Sequence, residues 1–138
     1  MPVESQENKR MHLQLIQNVI DRMASNSFLI KGWSLAAFGG LFTLYIANQN
    51  KEWSYDLLWL VLVCAIAFWW HDTYYLKLER QYRALYDDVT KKCEDEIDFS
   101  MKPPESAEKA LCVAIRPVLL CSYGIICIAS LIFLYILK

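Results

Sequence analysis

Twenty-one consecutive residues without a charge, 117–137 (PVLLCSYGIICIASLIFLYIL), constrain this chain more than any other feature. A helix that crosses a bilayer needs about 20 apolar residues, enough at a ~1.5 Å rise to cover the roughly 30 Å hydrocarbon core. A soluble helix this apolar would have to be covered all round by protein, and a 138-residue chain has no other segment to do it. Composition points the same way. Hydrophobic residues make up 56% of the chain, above the roughly 45–50% of average soluble domains. The surplus is expected to face lipid. With 14 basic and 15 acidic residues the charge is balanced. Both a soluble enzyme and a basic nucleic-acid binder are therefore disfavoured, and no direct nucleic-acid binding is expected.

Two further apolar runs lie upstream. Residues 29–47 are interrupted only by Lys31, and residues 57–70 end at His71 and Asp72. Trp53, Trp69, Trp70, Tyr74 and Tyr75 stand where an aromatic belt would lie. These features predict an all-α membrane protein in a single membrane domain: a transmembrane helical hairpin extended by cytoplasmic helices, plus a C-terminal transmembrane helix. The expected boundaries are a cytoplasmic amphipathic helix over 8–26, span 1 over 28–47, span 2 over 55–72, and a cytoplasmic helix over 73–96. A linker follows over 97–105, then a helix over 106–137 that contains span 3. In the first of these, apolar residues at 11, 15, 16, 19, 20 and 23 mark one helical face. Ser106 is the expected N-cap of the last helix, and Pro117 is expected to kink it.

Orientation follows from lysine and arginine. Lys9, Arg10, Arg22 and Lys31 precede or open the first span, and eight more basic residues lie between the second and third; only Lys51 and Lys138 fall on the other side. The N-terminus and the middle segment are therefore expected in the cytoplasm and the C-terminus outside, in a multi-pass membrane protein. No cleavable signal peptide, lipidation motif or disulfide framework is expected.

Gly32, Ala36 and Gly40 stand four apart on the first span, a spacing that lets helix backbones approach closely, either within the hairpin or between subunits. Lys31 is an ionisable residue in an apolar run and hence a functional candidate. If Ala47 lies level with Leu57, counting sixteen residues from each sets Lys31 opposite Thr73, next to Asp72, so a Lys31–Asp72 ion pair is expected. His71 is either a titratable neighbour of Asp72 or an interfacial aromatic. No catalytic, cofactor-binding or metal-binding set is visible: no serine elbow, no phosphate loop, no HExxH.

Residues 22–33, RMASNSFLIKGW, resemble a recurrent signature, RMAxNSFxxKGW, of small uncharacterised bacterial membrane proteins. Residues 70–80 (WHDTYYLKLER) and 85–89 (LYDDV) resemble that group's second block. In layout the group is similar to SLATT-type effectors and to the membrane accessory proteins of type VI CRISPR systems, both antiviral. The signature block is expected to form a polar junction where Arg22, Asn26, Ser27 and Lys31 meet Asp72 and the helix that follows it. What the resemblance implies is an oligomeric inner-membrane effector of antiviral defence that perturbs or permeabilises the bilayer when triggered. The chain is too short to carry its own nucleotide sensor, so the expected partners are the bilayer, further copies of the chain, and a soluble cytoplasmic activator. The alternative is a non-enzymatic membrane anchor that recruits a soluble protein through its cytoplasmic helices.

Overall fold

The computed structural model describes residues 7–105 and 108–136. Among these the chain is 84% helical, with no strand. Helix α1 (Glu7–Ala47) and helix α2 (Ser54–Lys91) are followed by a single 3₁₀ turn (Glu94–Glu96), a short helix α3 (Ala110–Ala114), and helix α4 (Pro117–Ile136). With 41 residues, α1 is about 60 Å long, roughly twice the thickness of a hydrocarbon core.

Helices α1 and α2 lie side by side with opposite polarity. Lys9 meets residues 90–94, Ser27 meets Asp72, and Phe38 packs with Val61 and Ala65. The connection at 48–53 is a run of tight turns (Asn48 N–H to Tyr45 O, Lys51 N–H to Asn48 O, Ser54 N–H to Lys51 O), and the Asn48 side chain donates to Leu44 O at the end of α1. At the far end the helix dipoles are answered reciprocally. Lys9 Nζ donates to Thr90 O and Lys92 O at 2.8 Å, where α2 leaves carbonyls unpaired, while Glu94 accepts the Lys9 N–H in the first turn of α1.

The pair has two apolar cores. Near the 48–53 turn, Phe38, Val61 and Ala65 close against Leu119 and Tyr123 of α4. At the far end Ile16 and Ile20 close against Leu85 and Val89. Segment 97–105, expected to be a linker, packs here: Ile97 and Met101 cover the second core, and Ser100 O lies 3.1 Å from the ring Nε2 of buried His12. Ser100 N–H donates to Asp98, which holds that carboxyl below its ordinary range. Phe99 sits at φ 53°, a left-handed conformation uncommon for a bulky residue, and its ring contacts His12 at 5.4 Å between centroids. The strap exists because Ile97 and Met101 bring apolar area to an otherwise open helix pair, which a count of acidic and proline residues does not register.

Two of the expected helices differ. The helix expected over 73–96 ends at Lys91, where Lys92 turns extended at ψ 147°. The helix expected over 106–137 is not continuous. It begins at Ala110, breaks at Ile115 and Arg116, and restarts at Pro117, so proline opens a new helix rather than kinking an old one. That is the position where its missing N–H costs nothing. Ser106, the expected N-cap, lies outside the described residues.

Helices α1, α2 and α4 are each long and apolar enough to cross a membrane, and their most apolar windows are only 17%, 33% and 17% buried. Phe28, Trp33, Leu35, Ile66 and Ile125 are all more than half exposed. Apolar surface on this scale is what lipid or further protein covers.

Candidate functional site

Between the two apolar cores lies a polar junction. Asp72 on α2 is fully buried. Its Oδ2 lies 2.6 Å from Lys31 Nζ and accepts the Tyr123 hydroxyl of α4 at 3.1 Å; its Oδ1 accepts a short hydrogen bond from Ser27. Lys31 Nζ also donates to Ser27 Oγ at 2.8 Å. One carboxylate thus gathers a cation and two hydroxyls from the two other long helices. Ser27 and Lys31 reach it together because they stand four apart on one face of α1.

The Lys31 side chain keeps 30% of its surface exposed, so the pair is open on one side. A buried ion pair holds only when its remaining lone pairs find donors. Ser27 and Tyr123 supply them. Tyr123 is itself fully buried and needs a partner for its hydroxyl.

The backbone of α4 explains how Tyr123 arrives. Residues Leu120–Gly124 form a π-helical turn, whose wider i→i+5 bonding changes the phase of the helix and often marks a functional position. The Trp69 ring stacks on Tyr123 at 6.4 Å and 16°, and its Nε1–H donates to Ala114 O at 2.9 Å. That bond satisfies one of the carbonyls left unpaired at the end of α3.

A second polar tie holds the same helix from outside. Glu108 accepts Arg80 of α2 at 2.7 Å and Arg116, at the head of α4, at 2.5 Å. The two guanidiniums, Arg116 first, hold the Glu108 carboxyl below its ordinary range.

Of the residues singled out from sequence, Ser27, Lys31 and Asp72 come together. His71 does not join them: it is exposed, and its Nδ1 lies 2.9 Å from Ala67 O of its own helix. Arg22 is exposed and Asn26 half-exposed, both outside the junction. Gly32, Ala36 and Gly40 face outward; a Cβ on either glycine would meet nothing within 4 Å. The stripe therefore does not serve the packing of α1 on α2.

The sequence does not single out Tyr123 or Glu108, and Trp69, expected in an aromatic belt, instead packs inward on Tyr123. The available signal for Tyr123 is a phenol well inside an apolar run, where its hydroxyl must find a partner. No three His, Cys, Asp or Glu side chains group as metal ligands among the described residues. The junction has hydroxyls, a cation and a carboxylate; chemically it is a three-helix latch. Comparison with protein-family models, curated proteins and solved structures gives no match for this chain.

Proposed function

We propose that the protein crosses the bacterial inner membrane three times, N-terminus in the cytoplasm and C-terminus outside, and acts as a non-catalytic homo-oligomeric effector. It perturbs or permeabilises the bilayer when a soluble partner or ligand engages its cytoplasmic helices. On this reading α1 and α2 form a transmembrane hairpin whose far half projects into the cytoplasm. The placement of twelve of the fourteen basic residues supports the orientation. The defence setting follows the layout's likeness to antiviral membrane effectors.

One observation carries the oligomer. The Gly32, Ala36 and Gly40 stripe lies on the outside of the protomer with open space before it, and small residues at this spacing suit close approach of another helix in lipid. Three helices packed around their own side chains leave no room for a water-filled channel, so conduction requires several copies, most simply in a closed ring. The Asp72 latch supplies the regulated element: it ties α4 to α1 and α2, and its release frees the most apolar helix to move.

Gly40→Leu should abolish both assembly in mild detergent and the collapse of membrane potential on triggering, while membrane insertion persists. A monomeric wild type with unchanged potential would replace this reading with the anchor. A periplasmic reporter should be active after Lys138 and silent near Asp95; activity near Asp95 would overturn the orientation.

A further inference from the structure

A groove of about 190 Å³ runs between α2 and α3, outside the latch. Its α2 wall is built from residues on one helical face, among them Trp70, Tyr74, Lys77 and Gln81, and Ala110 of α3 closes the other side. Trp70 and Tyr74 are 61% and 58% exposed, so two amphipathic rings stand open at its mouth. Trp70 ends the apolar run 57–70 and Tyr74 stands one helical turn beyond it, at the level where tryptophan and tyrosine favour the interface between hydrocarbon and headgroups.

The free charge around the groove is mainly positive. Lys77 has no carboxylate partner among the described residues, and exposed Lys109 directly precedes Ala110. Behind it, Arg80 and Arg116 share the single carboxylate of Glu108, which leaves a net positive charge. On α2, Asp72 is turned inward and consumed by Lys31, Ser27 and Tyr123, and Glu79 is paired with Arg83. Cations above an apolar floor, flanked by interfacial rings, match a molecule with an anionic head and a hydrocarbon tail. Basic pockets between membrane helices on the cytoplasmic side take anionic headgroups in this way.

We infer that this groove binds one anionic phospholipid, its phosphate beside Lys77 and Lys109 and an acyl chain along Trp70 and Tyr74. The inference rests on the membrane reading above. A lipid seated there touches both α2 and α3, and α3 leads directly into α4, so the bound headgroup braces the same helix that the latch holds.

The test uses the full chain, extracted in mild detergent and offered phosphatidylglycerol or phosphatidylcholine with identical acyl chains; native mass spectrometry counts the lipid that stays bound. Wild type should retain one phosphatidylglycerol in preference to phosphatidylcholine. Lys77→Gln and Lys109→Gln should each weaken that retention about fivefold, the effect of one basic residue at an anionic surface, and Lys77→Arg should restore it. Helix content by circular dichroism should be the same in all variants. Equal retention of the two lipids, or no change in Lys77→Gln, would overturn the site. Displacement of the lipid by millimolar inorganic phosphate would overturn it too, by showing a free-anion site instead. Loss of the protein from carbonate-washed membranes would instead defeat the membrane reading itself, and is scored separately.

Discussion

Two polar junctions tie α4 to α2. Asp72 receives the Tyr123 hydroxyl in the interior, and Glu108 bridges Arg80 and Arg116 nearer the surface. Each is built around one carboxylate, and each needs partners distant in sequence. They differ in solvent. Asp72 has no exposed surface, whereas the side chain of Glu108 keeps about a third of its own (36%). In the interior a lost partner leaves a buried polar group uncompensated, which costs far more than the bond itself contributed. At the surface water replaces the partner, and salt weakens what remains. The same carboxylate chemistry therefore makes a latch in one place and an adjustable tie in the other.

The largest effect should come from Asp72→Ala, which strands Lys31, Ser27 and Tyr123 together. A loss of about 3–5 kcal/mol is expected in SDS titration from mild detergent, the range for breaking a buried pair from one side. A loss no larger than that of a Glu108 variant would erase the contrast between the two junctions.

Next is Lys31→Ala. It should cost less than Asp72→Ala, because the lysine is partly exposed and Asp72 keeps its two hydroxyl donors. The double variant should cost less than the sum of the singles by about 0.5–3 kcal/mol. Strict additivity in the same titration would mean that the two charges do not support each other.

Tyr123→Phe sharpens the comparison further, since it removes one hydroxyl and leaves the Trp69 stack in place. A hydrogen bond to a charged group contributes about 1.5–3 kcal/mol. The loss should be insensitive to salt, and α4 should become more accessible to thiol labelling at Cys127, which is half-buried against the first core. Unchanged labelling would show that the phenol does not hold the helix.

Glu108→Gln should give the smallest change, and 1 M salt should remove most of the difference from wild type. Acid separates the junctions as well. The Glu108 pKa is depressed in the folded protein, so its contribution is complete above the ordinary glutamate range and is lost as the pH falls through the depressed value. Stability of wild type should therefore fall below that range more steeply than stability of Glu108→Gln. Parallel acid profiles would place the tie's origin elsewhere.

The parts of the fold legible in the sequence are those that depend on short stretches of chain. Apolar runs place the three long helices, because hydrophobic length is a local property. Even the meeting of Lys31 and Asp72 follows from counting, since two antiparallel helices rise by the same amount per residue and a short turn sets their phase. Counting stops working where the chain stops being regular. The break at Ile115 and Arg116 and the π-helical turn at Leu120–Gly124 both shift the phase of the last helix. No periodicity in the sequence then says which of its faces meets α2.

Tyr123 as the third partner of Asp72, Glu108 as the shared acceptor of two arginines, and the strap that lays Ile97 and Met101 over the second core were all decided by tertiary structure. The physical reason is common to the three. Each joins segments whose separation in space depends on packing around an irregular stretch, and residue identity alone carries no record of that geometry. The outward turn of Gly32, Ala36 and Gly40 belongs with them: spacing puts these residues on one stripe of α1, but only the position of α2 and α4 determines that the stripe is left uncovered.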